Sequence, residues 1–336
     1  MATMKEIAEL TGFSRVTVSA VLHAKPGVSE RTRKKVLEAI REHNLHHRLI
    51  ARNLMGHFSQ MFGVVVPDIA NPFYTELIDG FMAEMKDGEN HMICQPTRQS
   101  HALEVRTLET LLEYNLAGFV LGPTHQRKSV AHVQKVLATG RPLVTIGPLP
   151  GVETHTVDFE DRKGSKKATE YLIRHGHQRI VFLAGVMTSP AGNERALGFM
   201  EALLEHQVPF DDSMVATRTD GSWESGYQAA LEVLRHRKPK PTALQCFNDA
   251  VAMGAYRAAH ELGLHIPDDI SIVGFDNIRM SAVLGPPLTT VSIFPDRIGR
   301  AAARILTDVL QGNGRDRIRR ETIRTELVER GSVKTL

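Results

Sequence analysis

From Phe62 to Val273 the chain alternates short, unbroken apolar runs with helical stretches, and it does so in two successive sets. The first set runs Gly63–Val66, a helix from about Pro72 to Lys86, Met92–Cys94 and a helix from about Ala102 to Tyr114. Gly118–Leu121, a helix around Val130 to Ala138 and Leu143–Ile146 complete it. The second set opens with a helix from about Asp161 to Arg174 and the run Arg179–Ala184. Helices near Glu194–His206, Trp223–His236 and Asp249–Leu262 then alternate with strands near Val215, Ala243 and Ser271–Val273. Strands that are apolar at every position are buried on both faces, as in parallel sheets covered by helices. Two sets of similar size predict two Rossmann-like α/β lobes rather than one very large sheet. Neither a Gly-x-Gly-x-x-Gly fingerprint nor a Gly-x-x-x-x-Gly-Lys loop is present. A lobed body without them points to a small-molecule receptor rather than a nucleotide enzyme.

Residues 1–60 follow other rules. Thr3 with Glu6 reads as a capping box, Ile7, Ala8 and Leu10 give the first helix an apolar face, and Gly12 closes it. Ser14 is placed to cap a second helix from Arg15, with Val18, Val21 and Leu22 inward and Arg15, Val16, Thr17 and Ala20 outward. Ser29 caps a third, packed through Val36, Leu37 and Ile40. Three such helices with a short turn between the first two make a helix-turn-helix. These sixty residues carry ten Lys/Arg against five Asp/Glu, a balance of +5, in a chain whose total is +3, which leaves −2 for the rest. A basic head on a near-neutral body is the charge footprint of phosphate contacts made by one domain.

At 336 residues the chain suits two or three domains. No apolar run reaches the length of a membrane span and no leader pattern opens it, so a cytoplasmic protein is expected. Cys94 and Cys246 sit in apolar strands far apart in sequence and are expected as buried free thiols.

Thr17-Val18-Ser19, Val28-Ser29-Glu30-Arg31-Thr32-Arg33, Ala51-Arg52-Asn53-Leu54 and Asn71-Pro72-Phe73-Tyr74 occur in that order. Gly176-His177, Phe247-Asn248-Asp249, Ile272-Val273-Gly274-Phe275-Asp276 and Pro287-Leu288-Thr289-Thr290-Val291 follow. On these motifs the whole chain resembles the lac repressor (LacI/GalR) family of bacterial transcription regulators. The resemblance implies an all-α helix-turn-helix domain at 1–45, a hinge linker with a short helix at 46–60, and a periplasmic-binding-protein-like body. The first lobe would comprise 61–157 plus 287–320 and the second 158–286 plus 321–330. The chain would cross between lobes near Val157 and Pro286, and a final strand would lie near Arg324 to Val328.

The expected ligand-controlled regulator, a repressor, binds a palindromic double-stranded DNA operator as a homodimer, with no membrane partner. Arg15 would read a guanine, with a backbone phosphate as its other option, and Val16 and Ala20 would meet apolar base features. Ser14, Thr17, Ser29, Thr32 and Arg33 would face phosphates. By resemblance, Leu54 wedges between central base pairs and Arg52 lies at the sugar-phosphate wall. The family's usual aromatic and proline are replaced by Leu45 and His47. His43, His46 and His47 lack cysteine or carboxylate partners at ligand spacing, so no metal, cofactor or catalytic residue is expected. The chain ends without a leucine-heptad tail, which favours a dimer over a tetramer.

The effector is expected beyond the carboxyl ends of the strands, at Asp68, Asn71, Asn248 and Asp276, with Phe73 and Tyr74 as a flat wall. Arg195 matches a family arginine that contacts effector. Trp223, read as lying in a loop before a helix, is open between pocket and core, and Asp249 between pocket residue and helix cap. Carboxylates, amides and an arginine around aromatic faces suit a sugar or sugar acid. An aromatic sandwich equally suits a purine, but Ser189 and Ala191, at two pocket positions of the purine-responsive members, lack the groups a purine needs and tilt the choice to carbohydrate. The rivals are a transport-type sugar receptor, an α/β enzyme with a helical domain, and a global regulator with a protein co-effector.

Overall fold

The computed structural model describes residues 4–22, 27–42, 60–85, 90–124, 129–185, 189–216, 219–312 and 317–336. Thr3 and the linker histidines, with Leu45, Arg52 and Leu54, lie outside these residues.

The head consists of α1 (Met4–Thr11), α2 (Arg15–Leu22) and α3 (Glu30–Glu42). Its core is Ile7, Val18, Val21 and Val36, with Ala8, Phe13, Val28 and Leu37 packed at its edge. Both serine caps form: the Thr17 amide donates to Ser14 Oγ at 3.1 Å and the Thr32 amide to Ser29 Oγ at 3.2 Å. Each satisfies an amide that the helix start would leave unpaired, worth about 1 kcal/mol. Leu10, expected inward, is exposed instead, because the α1 face that meets α2 and α3 is centred on Ile7.

The first lobe contains β1 (Met61–Val66), α4 (Pro72–Glu84), β2 (His91–Pro96), α5 (His101–Leu112) and β3 (Gly118–Leu121). It continues through α6 (Ala131–Ala138), β4 (Leu143–Ile146) and β5 (His155–Phe159). The second lobe follows with α7 (Asp161–Arg174), β6 (Ile180–Leu183), α8 (Pro190–Glu205), β7 (Val215–Ala216) and α9 (Trp223–His236). Then come β8 (Ala243–Cys246), α10 (Asp249–Glu261), β9 (Ser271–Asp276) and β10 (Thr289–Ser292). The chain ends with α11 (Pro295–Leu310), β11 (Arg320–Ile323) and β12 (Glu326–Val328).

The two sheets run β11-β5-β4-β3-β1-β2 and β12-β10-β9-β8-β6-β7. Among the described residues every pairing is parallel except β10 with β12. In each sheet the order reverses between the first and third strands, β1 and β3 in one and β6 and β8 in the other. Helices on both sheet faces leave β3, β4, β6, β8, β9 and β10 buried at every position, which is why those runs carry no polar alternation.

The lobe boundaries differ from the expected ones. β10 pairs with β9, so Thr289–Ser292 belongs to the second sheet, and the chain crosses back only at Ile293–Phe294. β11 pairs with β5 in the first sheet, and β12 returns to the second, so the expected single last strand is two strands in two lobes. A parallel strand and an antiparallel strand three residues apart look alike in sequence, and only their hydrogen-bonded neighbours distinguish them.

α11 returns to the first lobe and packs on α4 at unusually short range. A Cβ on Gly299 would stand 1.9 Å from the Leu77 carbonyl oxygen, and one on Gly80 would stand 2.1 Å from that of Asp296. The obstacles are backbone, which cannot rotate away. Gly299→Ala is therefore expected to lose about 1–3 kcal/mol of stability by overpacking, read as a lower urea midpoint; an unchanged midpoint would show that the two helices can separate freely.

Candidate functional site

Two surfaces meet the requirements of a site. On the head, α2 turns Arg15 and Val16 fully outward, with Val16 79% exposed, while Thr17 and Ala20 are half-buried beside them. Ser14 and Thr17 also share a hydroxyl contact at 2.9 Å, as do Ser29 and Thr32, so these four groups line up in pairs at two helix starts. Arg33 turns partly inward, with Nη1 3.5 Å from the Val21 carbonyl, and so ties α3 to the end of α2.

The second surface is a cleft between the lobes with about 840 Å³ of empty space, part of it open to solvent. It lies at the carboxyl ends of the strands, beside the point in each sheet where strand order reverses, which is where open α/β sheets leave a crevice. The first lobe supplies Pro67 and Asp68 after β1, Asn71, Phe73 and Tyr74 at the start of α4, and Gly122–Thr124 after β3. Gln99 joins them from a turn in which Arg98 and Gln99 both hold positive φ. Two consecutive left-handed non-glycine residues at a cleft rim store strain where a ligand would sit. Phe159 and Asp161 stand at the first crossing, and the second lobe supplies Ser189, Ala191, Asp220, Gly221, Phe247 and Asn248.

The aromatic faces are ordered among themselves. Phe73 meets Tyr74 edge-on at 4.8 Å and Phe159 at 6.3 Å. Asn71 caps α4 through its side-chain oxygen to the Phe73 amide at 3.0 Å, which aims that pair of rings. Asp68 accepts from the Ala70 amide at 2.9 Å, and Asp220 takes the Ser222 amide at 2.9 Å and the Ser225 hydroxyl at 2.6 Å. These bonds hold the Asp220 carboxyl below the usual carboxylate range despite partial burial. Burial and the nearby Asp276 push the Tyr74 phenol up, so it stays a neutral hydroxyl donor. Among the described lining residues there are three carboxylates and no lysine, arginine or histidine.

Beneath the lining, Arg195 from α8 is 4% exposed. Its Nε donates to Asp161 at 2.6 Å and its Nη1 to the Phe247 carbonyl at 2.6 Å, with Asp276 at 3.5 Å. The guanidinium also lies over the Phe275 ring at 3.7 Å and the Phe247 ring at 4.7 Å. Asp276 holds φ of 114°, a left-handed conformation that brings its carboxylate under the arginine. Burial raises both Asp161 and Asp276, while the arginine pulls both down.

The structure therefore brings Asp68, Asn71, Phe73, Tyr74 and Asn248 together on the cleft wall. Arg195 and Asp276 lie one layer deeper, reaching the cleft through Asp161 and Phe247. Trp223, left open between pocket and core, is the first residue of α9 after the Ser222 cap, half exposed and off the cleft lining. Asp249 is not the cap of α10; Asn248 is, accepting from the Val251 amide at 2.8 Å. The Asp249 carboxylate instead takes the Thr290 hydroxyl at 2.6 Å and the Ile278 amide at 2.9 Å. His177 is buried and bonds Thr242 and the Lys334 carbonyl, so Gly176-His177 is a structural turn. Cys246 is buried as expected, whereas Cys94 is only half-buried.

Asp161, Asp220, Phe159 and Phe247 line the cleft without having been anticipated as site residues. Asp161, two residues past β5, was discoverable by the strand-end rule that selected Asp68. Asp220 has no comparable signal, since its loop is placed by the Ser222 and Ser225 bonds.

A helix-turn-helix head joined to a two-lobed body with a ligand-sized cleft defines a DNA-binding regulator built on a binding-protein scaffold. The signature of bacterial regulatory proteins of the lacI family matches residues 3–47, and that of a periplasmic binding protein-like domain matches residues 169–333. The chain is 30% identical over 339 residues to the HTH-type transcriptional repressor PurR of Vibrio atlanticus (strain LGP32), with all of both chains covered. The transcriptional regulator CelR in complex with cellobiose superposes with TM-score 0.73 at 27% identity, covering 99% of this chain and 100% of that one. The lac repressor dimer bound to operator and the anti-inducer ONPF gives TM-score 0.75 at 26% identity over 99% of each. This chain belongs to the lacI family of bacterial transcription regulators.

Proposed function

We propose that the chain is a dimeric repressor that binds a palindromic operator and whose grip on DNA is set by a neutral sugar held in the cleft. The observation that carries the ligand class is the lining: Asp68, Asp161 and Asp220 with Asn71, Gln99 and Asn248 around four aromatic rings, and no cation among the described lining residues. Carboxylates accept from hydroxyls, amides both accept from and donate to them, and ring faces cover the apolar side of a pyranose or furanose. A sugar acid or sugar phosphate would place its anion against three carboxylates, and Arg195 beneath the wall is already bonded to one of them. The neutral sugar is thus favoured over the sugar acid. A purine has one supporting observation, the aromatic walls, together with the name of the 30% identical relative.

The ligand acts by its preference for one arrangement of the lobes, and the head responds through the linker. The ligand is bound rather than turned over, and the protein works in the cytoplasm, where its operator is. No described helix is long and apolar enough to cross a membrane. For the dimer, Arg279 ties the second lobe to α4, its amide donating to Glu76 at 2.7 Å and its guanidinium 3.5 Å from Asp79. Beside it, Met280 and Val283 are exposed apolar side chains on the second lobe, and Met82 on the same α4 is exposed too. This face would be covered by a second copy.

Calorimetric titration of the full chain with neutral mono- and disaccharides, sugar acids and purine bases tests the ligand class. Binding of a neutral sugar, recovered unchanged and altering operator footprints, is the expected result; binding of sugar acids alone would reject it. On the head, Arg15→Ala is expected to remove about 1–3 kcal/mol of discrimination at one base pair of each half-site, measured by competition with operator variants. A uniform loss over all sequences would place Arg15 on a phosphate instead.

A further inference from the structure

We propose that His101, Glu104 and His132, between α5 and α6 of the first lobe, form a binding site for a divalent transition cation of the zinc type. His101 and Glu104 are one turn apart on α5 and so share a face, and His132 comes from the start of α6. One ligand atom from each lies within 4.8 Å of the other two. His132 Nε2 stands 2.8 Å from Glu104 Oε1, and the two imidazoles meet edge to face at 5.2 Å.

The surroundings are those of a prepared site. Glu104 and His132 are almost wholly buried, and the second carboxylate oxygen accepts the Thr124 amide at 2.7 Å. His101 has its Nε2 2.9 Å from the Ser129 carbonyl, the kind of partner that fixes ring orientation in metal-ligating histidines. It is only half-buried, so an ion can enter past it and keep a water as fourth ligand. Two imidazoles and one carboxylate suit zinc, whereas magnesium and calcium require oxygen ligands throughout. Ligand atoms about 2.0–2.1 Å from a tetrahedral ion stand about 3.3 Å apart, so the His132–Glu104 contact would open by about half an ångström.

The site is outside the cleft but joined to it, because Thr124, which Glu104 holds, lines the cleft. Its test needs neither DNA nor sugar. The full chain, untagged and stripped with a chelator, is titrated with zinc and, in parallel, with cobalt as a spectroscopic stand-in. One zinc per chain and a tetrahedral cobalt spectrum are expected. His101→Ala, which leaves the buried His132–Glu104 pair intact, should weaken zinc at least about tenfold and abolish the cobalt spectrum, with circular dichroism unchanged. A triple replacement of His43, His46 and His47 by alanine should leave both readouts as in the parent. Absence of saturable uptake, or uptake that survives His101→Ala and disappears with the linker histidines, would overturn the proposal.

Discussion

Arg195→Ala is expected to cost about 3–5 kcal/mol of folding stability, the typical loss when one partner of a buried ion pair is removed. The cation serves Asp161 and Asp276 together and caps the Phe247 carbonyl, so its removal leaves two buried carboxylates facing each other without compensation. Both would then be driven further towards the protonated form, since burial already raises them. Arg195→Lys should recover only part of the loss, because a single ammonium cannot reproduce the fork that reaches Asp161, Asp276 and the carbonyl at once. Urea unfolding of the two variants measures this. A loss below about 1 kcal/mol for Arg195→Ala would mean that water reaches the cluster and screens it. The same variant should lose the DNA response to ligand, as Asp161 and Phe247 on the cleft wall are held by this arginine.

The second large effect is expected at Asp249. Its carboxylate is fully buried and accepts from the Thr290 hydroxyl and the Ile278 and Asn277 amides, binding the start of α10 to the turn after β9 and to β10. Asp249→Ala leaves those donors unpaired at about 1–3 kcal/mol each, so a total loss of about 3–5 kcal/mol is expected. Burial raises this carboxyl from 3.8 to about 7, the bonds from Thr290, Ile278 and Asn277 opposing it. A raised folded-state value means that the folded chain holds the proton more tightly than the unfolded chain. Its stabilising contribution is complete below pH 4 and is lost as the pH climbs through about 7. The stability difference between parent and Asp249→Ala should therefore shrink between pH 5 and pH 8. A difference that grows over that interval would show that Asp249 is charged throughout in the folded chain.

How much of this was legible in the sequence depends on the kind of residue. Asp68 and Asn248 stand two residues past β1 and β8, and Asn71 caps the helix that follows β1, so the strand-end rule places all three at the cleft. Ser14 and Ser29 act on amides three residues away, so their caps were readable from local spacing alone. Arg195 was selected as a ligand contact, but its surroundings come from Asp161, Phe247 and Asp276, 34, 52 and 81 positions away in sequence. Nothing local reveals that it lies beneath the wall. Trp223 begins α9 where the helical pattern puts it, but that its ring is exposed and off the lining depends on the surrounding fold.

The sequence by itself determined the two-lobed α/β architecture and the capped helix-turn-helix, because apolar runs, helical periodicity and caps are set within a few residues by backbone hydrogen bonding and burial. It also determined membership of the lacI family. Only the tertiary structure decided which lobe owns β10, β11 and β12, that Asp220 faces the cleft while Asp276 lies beneath it, and that His101, Glu104 and His132 come together. Those outcomes depend on strand pairing and on charges that meet across long stretches of chain. Their energies are fixed by the neighbour finally reached, not by the residues alongside.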